Sequence, residues 1–177
     1  MCGLGGGGPP FRTARPGLLS MKSDRDPSAT FEEFVALWQK LLEENGRPGT
    51  VVVVEGERDR RAIRRLGWDG PVVVVHRGRT LSATAQALAD AYRRVVLLTD
   101  WDPEGGSLAR RLREFLEAEK VDLDVEYRRR LARVLRGEVV HVEGLYGWAR
   151  RAAEKVGRTV ESIPDDAPGA RPPPTTG

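Results

Sequence analysis

Three short apolar runs constrain this chain more than any other feature: Val51-Val52-Val53-Val54, Val72-Val73-Val74-Val75 and Val95-Val96-Leu97-Leu98. Each is too short for a helix, and β-branched residues dominate. Runs of this kind, with no polar alternation, mark strands buried on both faces, which means a largely parallel sheet covered by helices. The intervals between them carry helical periodicity, so the expected class is α/β with right-handed crossovers. In such sheets chemistry collects beyond the C-terminal strand ends. The residues that follow the three runs are therefore the ones to read for function.

The rest of the chain fits around those strands. Thr30-Phe31-Glu32-Glu33 has capping-box spacing and opens an amphipathic pattern of Phe31, Phe34, Val35, Trp38, Leu41 and Leu42, which predicts one N-terminal helix ended by Asn45-Gly46. A second helix is expected within residues 58–66, stopped by Gly67. Ser82 is placed to cap a third, with Ala85, Leu88, Ala89 and Tyr92 on its apolar side. A fourth is expected to begin at Gly106 or Ser107 and to carry Leu108, Leu112, Phe115 and Leu116 on one face. Then come strand-like residues at 121–125, a basic helix at 127–135, a further β-type segment at 139–142 and a last helix at 145–156. Residues 1–27, with a glycine tetrad and little periodicity, read as a disordered segment, and Met21 is an alternative start that mass spectrometry of the native N terminus would test. The expected organisation is that segment, a helix and linker at 28–49, one domain at 50–160 and a disordered Pro-rich tail at 161–177.

The first strand run ends in Glu55-Gly56-Glu57-Arg58-Asp59 and the third in Thr99-Asp100-Trp101-Asp102-Pro103-Glu104-Gly105-Gly106. If the extended backbone persists through Asp102, Asp100 and Asp102 face one side, where their repulsion calls for a cation or a proton. A hard divalent ion such as Mg2+ suits clustered oxygen ligands. The plainer alternative is an acidic loop that caps a helix. Pro103 and the two glycines are read as ending the strand and freeing the turn. Gly56 is read as allowing close approach of a ligand, and Asp59 as either a site residue or a helix cap. Trp101 either packs beneath the loop or offers a face for a stacked base.

The hydrophobic strand followed by Glu-Gly-x-x-Asp, and one strand-helix-strand later the hydrophobic strand followed by Asp-x-Asp-x-x-Gly, resemble the Toprim domain. This is the catalytic module of type IA and type II topoisomerases, bacterial-type primases, certain nucleases, recombination mediators and the ribonuclease that matures 5S ribosomal RNA. The resemblance spans residues 50–142, and Thr99-Asp100-Trp101-Asp102 with Gly105-Gly106 looks most like the small stand-alone archaeal members. It implies a Rossmann-like Toprim fold. It also implies that Glu55 is a general acid or base and a metal ligand, that Asp100 and Asp102 hold Mg2+ with Mn2+ as a substitute, and that Asp59 is partly structural. Glu104, Gly56 and Gly105 fall within the motifs as secondary residues.

Size and composition narrow the activity. A topoisomerase needs a nucleophilic tyrosine on a separate domain, whereas Tyr92, Tyr127 and Tyr146 lie in no second domain; a primase needs a zinc site that the lone Cys2 cannot build. The expected function is Mg2+-dependent phosphodiester hydrolysis on RNA or DNA. The alternatives are a non-catalytic or partner-dependent nucleic-acid-binding module and a primase-like nucleotidyltransferase subunit. Arginine runs, including Arg58 and Arg61, Arg110, Arg111 and Arg113, and Arg128 and Arg129, can contact phosphates or simply form solvated helix faces. Arg77 and Arg79, beside Gly78, are further phosphate candidates. His76 is a weaker candidate for proton transfer and His141 a weaker one still. A lone cysteine, with no apolar run long enough to span a bilayer, fits a cytoplasmic setting without membrane partners.

Overall fold

The computed structural model describes residues 26–75 and 78–160. The expected disorder of residues 1–25 and 161–177, and the candidates His76 and Arg77, lie outside the described residues. Helix α1 (Pro27–Glu43) precedes strand β1 (Thr50–Val54), and α2 (Glu57–Arg65) leads to β2 (Val72–Val74). Next come α3 (Leu81–Ala91), β3 (Arg94–Leu97), α4 (Pro103–Ala118), β4 (Asp122–Asp124), α5 (Glu126–Leu135) and α6 (Leu145–Lys155). The four strands form one all-parallel sheet in the order β2-β1-β3-β4, with Val52 opposite Val72 and Val96, and Val95 opposite Leu123.

Alternation along the valine runs divides the interior in two. Val52, Val54, Val96 and Leu98 face a core with Trp38, Ile63, Leu131 and Ala149, whereas Val51, Val53, Val95 and Leu97 face one with Ala85, Leu88, Leu112 and Leu116. Helices α1, α2, α5 and α6 thus cover one face and α3 and α4 the other. Because both faces are covered, β1 is buried at every residue, and this is why its sequence shows no polar alternation. The chain leaves β1 toward β2 on one side and returns to β3 on the other, so the carboxyl ends of β1 and β3 flank the crevice where the strand order reverses. Open α/β sheets bind their ligands at this switch point.

Several local expectations are corrected. Helix α1 starts at Pro27, capped by Asp26, whose carboxylate accepts from Ser28 N at 3.0 Å. The Thr30 capping box is therefore not used, and order extends into the segment read as disordered. Helix α3 is capped by Thr80 rather than Ser82, at 3.1 Å from Ala83 N. Phe115, 39% exposed, lies off the buried stripe of α4 formed by Leu112 and Leu116. The expected β segment at 139–142 is a loop running into a 3-10 turn, Val142–Gly144. It has no strand neighbour among the described residues: Val139 and Val142 are buried in the larger core, whereas Val140 is exposed and its carbonyl accepts from Trp101 N at 2.8 Å.

Candidate metal centre and its cleft

Strand β3 ends at Leu97, and the chain bends at Trp101 and Asp102. Helix α4 begins at Pro103, earlier than Gly106 or Ser107, with Asp102 as its N-cap: Asp102 Oδ1 accepts from Gly105 N at 2.7 Å. Asp102 itself keeps extended backbone angles, φ −73° and ψ 171°, and its carboxylate takes up the helix-cap reading of the Asp-x-Asp motif. One oxygen of Asp102 caps the helix, and the other lies 3.7 Å from His141 Nδ1.

Glu55, one residue past β1, reaches across the crevice, where its Oε1 accepts from Asp100 N at 3.0 Å. The two strand ends are therefore joined by a carboxylate to backbone bond. Gly105 lies against the same place. A Cβ built on it would stand 2.5 Å from the Asp100 carbonyl oxygen and 2.6 Å from Glu55 Oε1, so a hydrogen is the largest group that fits. Close approach within the first turn of α4 is the reason for glycine here, rather than freedom to turn. At Gly56, by contrast, an added Cβ would meet Asp59 Oδ2 at an ordinary 3.6 Å.

Asp59 is 5% exposed and holds two backbone donors, Gly56 N at 2.8 Å and Glu143 N at 3.1 Å. It closes the first turn of α2 and ties that turn to the 141–144 loop, which is a structural task with both oxygens engaged. Burial pushes the Asp59 carboxyl above its usual range, with the charge of Asp100 adding to the rise. Glu55 is likewise raised, first by burial, and then by Asp100, Asp102 and Asp59 against the opposing hydrogen bond. Four acids packed this closely favour binding either a proton or a cation.

The 140–143 loop brings in His141, the weakest of the proton-transfer candidates. Val142 N donates to Asp100 Oδ1 at 2.8 Å, and His141 Nδ1 lies 2.8 Å from Asp100 Oδ2 and 3.7 Å from Asp102 Oδ2. One ligand atom from each of Asp100, Asp102 and His141 lies within 4.8 Å of the others. Two carboxylate oxygens and an imidazole nitrogen at such spacing are a fitting donor set for one divalent ion. The hydrogen bond to Asp100 raises the His141 imidazolium above its ordinary value. No spacing rule in the sequence pairs residue 141 with residue 100; only the signal of a histidine before a buried valine was available.

Arg128 and Trp101 stiffen the motif from behind. Arg128 Nε donates to the Thr99 carbonyl at 3.1 Å and Nη2 to that of Asp100, while the Trp101 indole packs on the larger core and donates to the Arg128 carbonyl at 2.9 Å. The Arg128 guanidinium is thus committed to loop carbonyls rather than presented to a ligand. Thr99, fully buried, donates from Oγ1 to the Gly105 carbonyl at 3.1 Å.

In front of the acids opens a cleft of about 810 Å³. Glu55, Asp100 and His141 lie at its acidic centre, Arg58 and Arg61 of α2 on one side, and Arg79 with Ser107 and Arg111 of α4 around the rest; Glu104 and Asp59 also reach it. Arg129 is not among its lining residues and pairs with Glu126 at 3.4 Å on the surface of α5. Arg58 stands 3.8 Å from Glu143 with its side chain 78% exposed. The cleft thus sets Arg58, Arg61, Arg79 and Arg111 around the acidic centre, with Glu57, Glu104 and Glu143 interspersed among them.

This fold and acidic centre define a class, and the chain matches the Toprim domain model over residues 50–134. Toprim domains typically bind a divalent metal, which agrees with the donor set. More narrowly, the chain belongs to the archaeal UPF0292 family. It is 37% identical over 117 residues to a UPF0292 protein of Thermococcus gammatolerans, an alignment covering 66% of this chain and 84% of that one. A second UPF0292 protein, from Methanosarcina acetivorans, is 32% identical over 116 residues, covering 66% and 80%. A solved structure described as a putative protein from Aquifex aeolicus superposes with a TM-score of 0.51 at 20% identity, covering 62% of this chain and 94% of that one, and shares the fold. Among the described residues no helix is long and apolar enough to cross a membrane.

Proposed function

We propose that the protein hydrolyses phosphodiester bonds of a nucleic acid with a divalent ion, Mg2+ or Mn2+, held at Asp100 and Asp102. The observation that carries the reading is the meeting of Glu55 with the aspartate motif across the strand-order switch, at 3.0 Å, on the floor of an arginine-rimmed cleft. Charge develops on the attacking and leaving oxygens in phosphoryl transfer, and a bound divalent ion would stabilise it. The chain's own residues supply the rest. Arg58, Arg61, Arg79 and Arg111 draw the phosphate backbone into the cleft and orient it. Glu55, anchored by one oxygen to Asp100 N, keeps the other for a proton, and burial, which raises its carboxyl above the usual range, favours an acid-base role. As base it takes a proton from the attacking water while the new P–O bond forms and the bond to the sugar oxygen breaks. The leaving oxygen is protonated from solvent or from the acid so formed.

The test is divalent-ion-dependent cleavage of defined structured RNA and DNA by the wild type, Asp100→Asn and Glu55→Gln. Cleavage lost in both variants without loss of folding supports hydrolysis. Binding without cleavage in Mg2+ and in Mn2+, across single-stranded, duplex and hairpin substrates, would replace the enzyme with a nucleic-acid adaptor.

A further inference from the structure

We infer that His141 is a ligand of the metal held by Asp100 and Asp102, and that its imidazole turns the site from an all-oxygen centre into one preferring a first-row transition ion, Mn2+, over Mg2+. The inference rests on the divalent site of the proposed function, not on the reaction it performs.

The 140–143 loop is held tightly on both sides of His141. Each neighbour of His141 is tied by its backbone to a residue of the acidic motifs: Val140 O accepts from Trp101 N at 2.8 Å, Val142 N donates to Asp100 at 2.8 Å and Glu143 N donates to Asp59 at 3.1 Å. Val142 is also buried in the core. These four attachments to the core and to both motifs leave the His141 side chain, 47% exposed, aimed at the aspartates. An exposed histidine with no task needs no such frame. Loops stapled this closely to ligands act to orient a donor.

The distances agree with shared ligation. An ion bound at about 2.1 Å to each donor keeps neighbouring donors roughly 3 Å apart in octahedral geometry. The His141 Nδ1 separations of 2.8 Å and 3.7 Å bracket that value. Asp102 spends its Oδ1 on the helix cap, and Asp100 accepts Val142 N with its Oδ1, so each aspartate has its Oδ2 on the imidazole side. One carboxylate oxygen from each and one nitrogen then converge.

The choice of metal follows from the donor. Mg2+ is a hard ion that takes oxygen ligands and keeps several waters, whereas imidazole nitrogen serves first-row transition ions, whose affinities rise from Mn2+ upward along the series. Removing the nitrogen therefore costs Mn2+ more than Mg2+.

The experiment uses the full chain without nucleic acid. Mn2+ and Mg2+ affinities are measured by titration calorimetry for the wild type, His141→Gln and His141→Asp, and Mn2+-loaded protein is examined by pulsed electron paramagnetic resonance for nitrogen coupled to the metal. Expected are a wild-type preference for Mn2+ of at least about tenfold, a directly coupled imidazole nitrogen, and loss of both in His141→Gln, with Mg2+ affinity held within about threefold. His141→Asp, all oxygen, should bind Mg2+ at least as well as the wild type. Absence of a nitrogen coupling in the wild type, or an unchanged Mn2+/Mg2+ ratio in His141→Gln, would overturn the inference and leave His141 as a hydrogen-bond partner of Asp100. Unfolding midpoints of the metal-free variants identify any loss caused by misfolding; a misfolded His141→Gln leaves the nitrogen coupling in the wild type to decide. A site that binds Mn2+ through nitrogen while no substrate is cleaved would refute hydrolysis and preserve the ligand.

Discussion

Replacing Gly105 by alanine tests how tightly the two strand ends are locked. The new Cβ would stand 2.5 Å from the Asp100 carbonyl oxygen, 2.6 Å from Glu55 Oε1 and 2.9 Å from the Asp100 carbonyl carbon. Against the 3.4 Å at which ordinary contact begins, the shortfall is about 0.9 Å, and relief requires the crowded atoms to move. None moves freely. The Asp100 carbonyl is held by Arg128, Glu55 Oε1 by Asp100 N, and the Gly105 carbonyl by Thr99. Overpacking of this kind costs roughly 1–3 kcal/mol, which for a chain of this size lowers the melting temperature by about 2–4 °C per kcal/mol. Because the displaced atoms position Asp100, divalent-ion affinity should fall by about 10- to 100-fold. Gly106→Ala is the control: its Cβ would meet Arg128 Nη2 at 3.8 Å, within ordinary range, and a helical Gly→Ala change stabilises by about 0.5–1 kcal/mol. Thermal unfolding without metal and calorimetric titration with Mn2+ read both effects. If Gly105→Ala melts within about 1 °C of the wild type and binds Mn2+ equally well, the close-packed junction described here is wrong.

Four further predictions concern other parts of the molecule. Asp59→Ala strands two backbone N–H groups and should cost about 2–4 kcal/mol in denaturant unfolding, with Asp59→Asn costing less because its amide oxygen can still accept one of them. Arg111→Ala should reduce the slope of log affinity against log salt for nucleic acid by about 0.7–0.9, whereas Arg128→Ala, whose guanidinium serves loop carbonyls, should leave that slope unchanged while lowering thermal stability and Mn2+ affinity. Glu55 and Asp59 have folded-state pKa values raised above 4.5 and 3.8, mainly by burial, so the stability they confer is complete below about pH 4 and is lost as pH rises through the folded values. Melting curves in chelator should therefore show Glu55→Gln losing less stability than the wild type between pH 4 and neutrality, and parallel curves would contradict the shift. At the opposite end of β3, Arg94 pairs with Glu44 at 3.0 Å, Asp122 at 2.9 Å and Asp124 at 2.8 Å; Arg94→Ala leaves the Glu44 side chain, 7% exposed, with only Arg47 at 3.3 Å and the Tyr127 hydroxyl at 3.2 Å, and should cost about 3 kcal/mol with Mn2+ affinity unchanged.

The class of the fold was legible because burial on both sheet faces leaves a direct trace in composition: Val51 to Val54 and Val95 to Leu98 show no polar alternation, since no residue among them meets water. Glu55 and the Asp100-x-Asp102 pair were legible for a related reason, as charged residues directly beyond such runs stand at the ends of parallel strands. The starts of α1, α3 and α4 were misplaced because Asp26, Thr80 and Asp102 compete as caps with Thr30, Ser82 and the glycines, and only the path of the entering chain selects among them. Residues 139–142 misled for a different reason. Val139 and Val142 plug a core from a loop, and periodicity cannot tell a plug from a strand.

What the sequence determined by itself is everything that depends on neighbours along the chain: the strands, most of the helices, the acids that follow them and the family they announce. What only the tertiary structure decided is which distant groups share one site. Strand order β2-β1-β3-β4 places Glu55 beside Asp100, 45 positions away, and the 140–143 loop brings His141 to the same carboxylates from 41 positions away. The same packing turns Arg128 inward to carbonyls and Asp59 into a clamp. Those roles arise from contacts through space, which are set when the helices close both faces of the sheet and which no local pattern records.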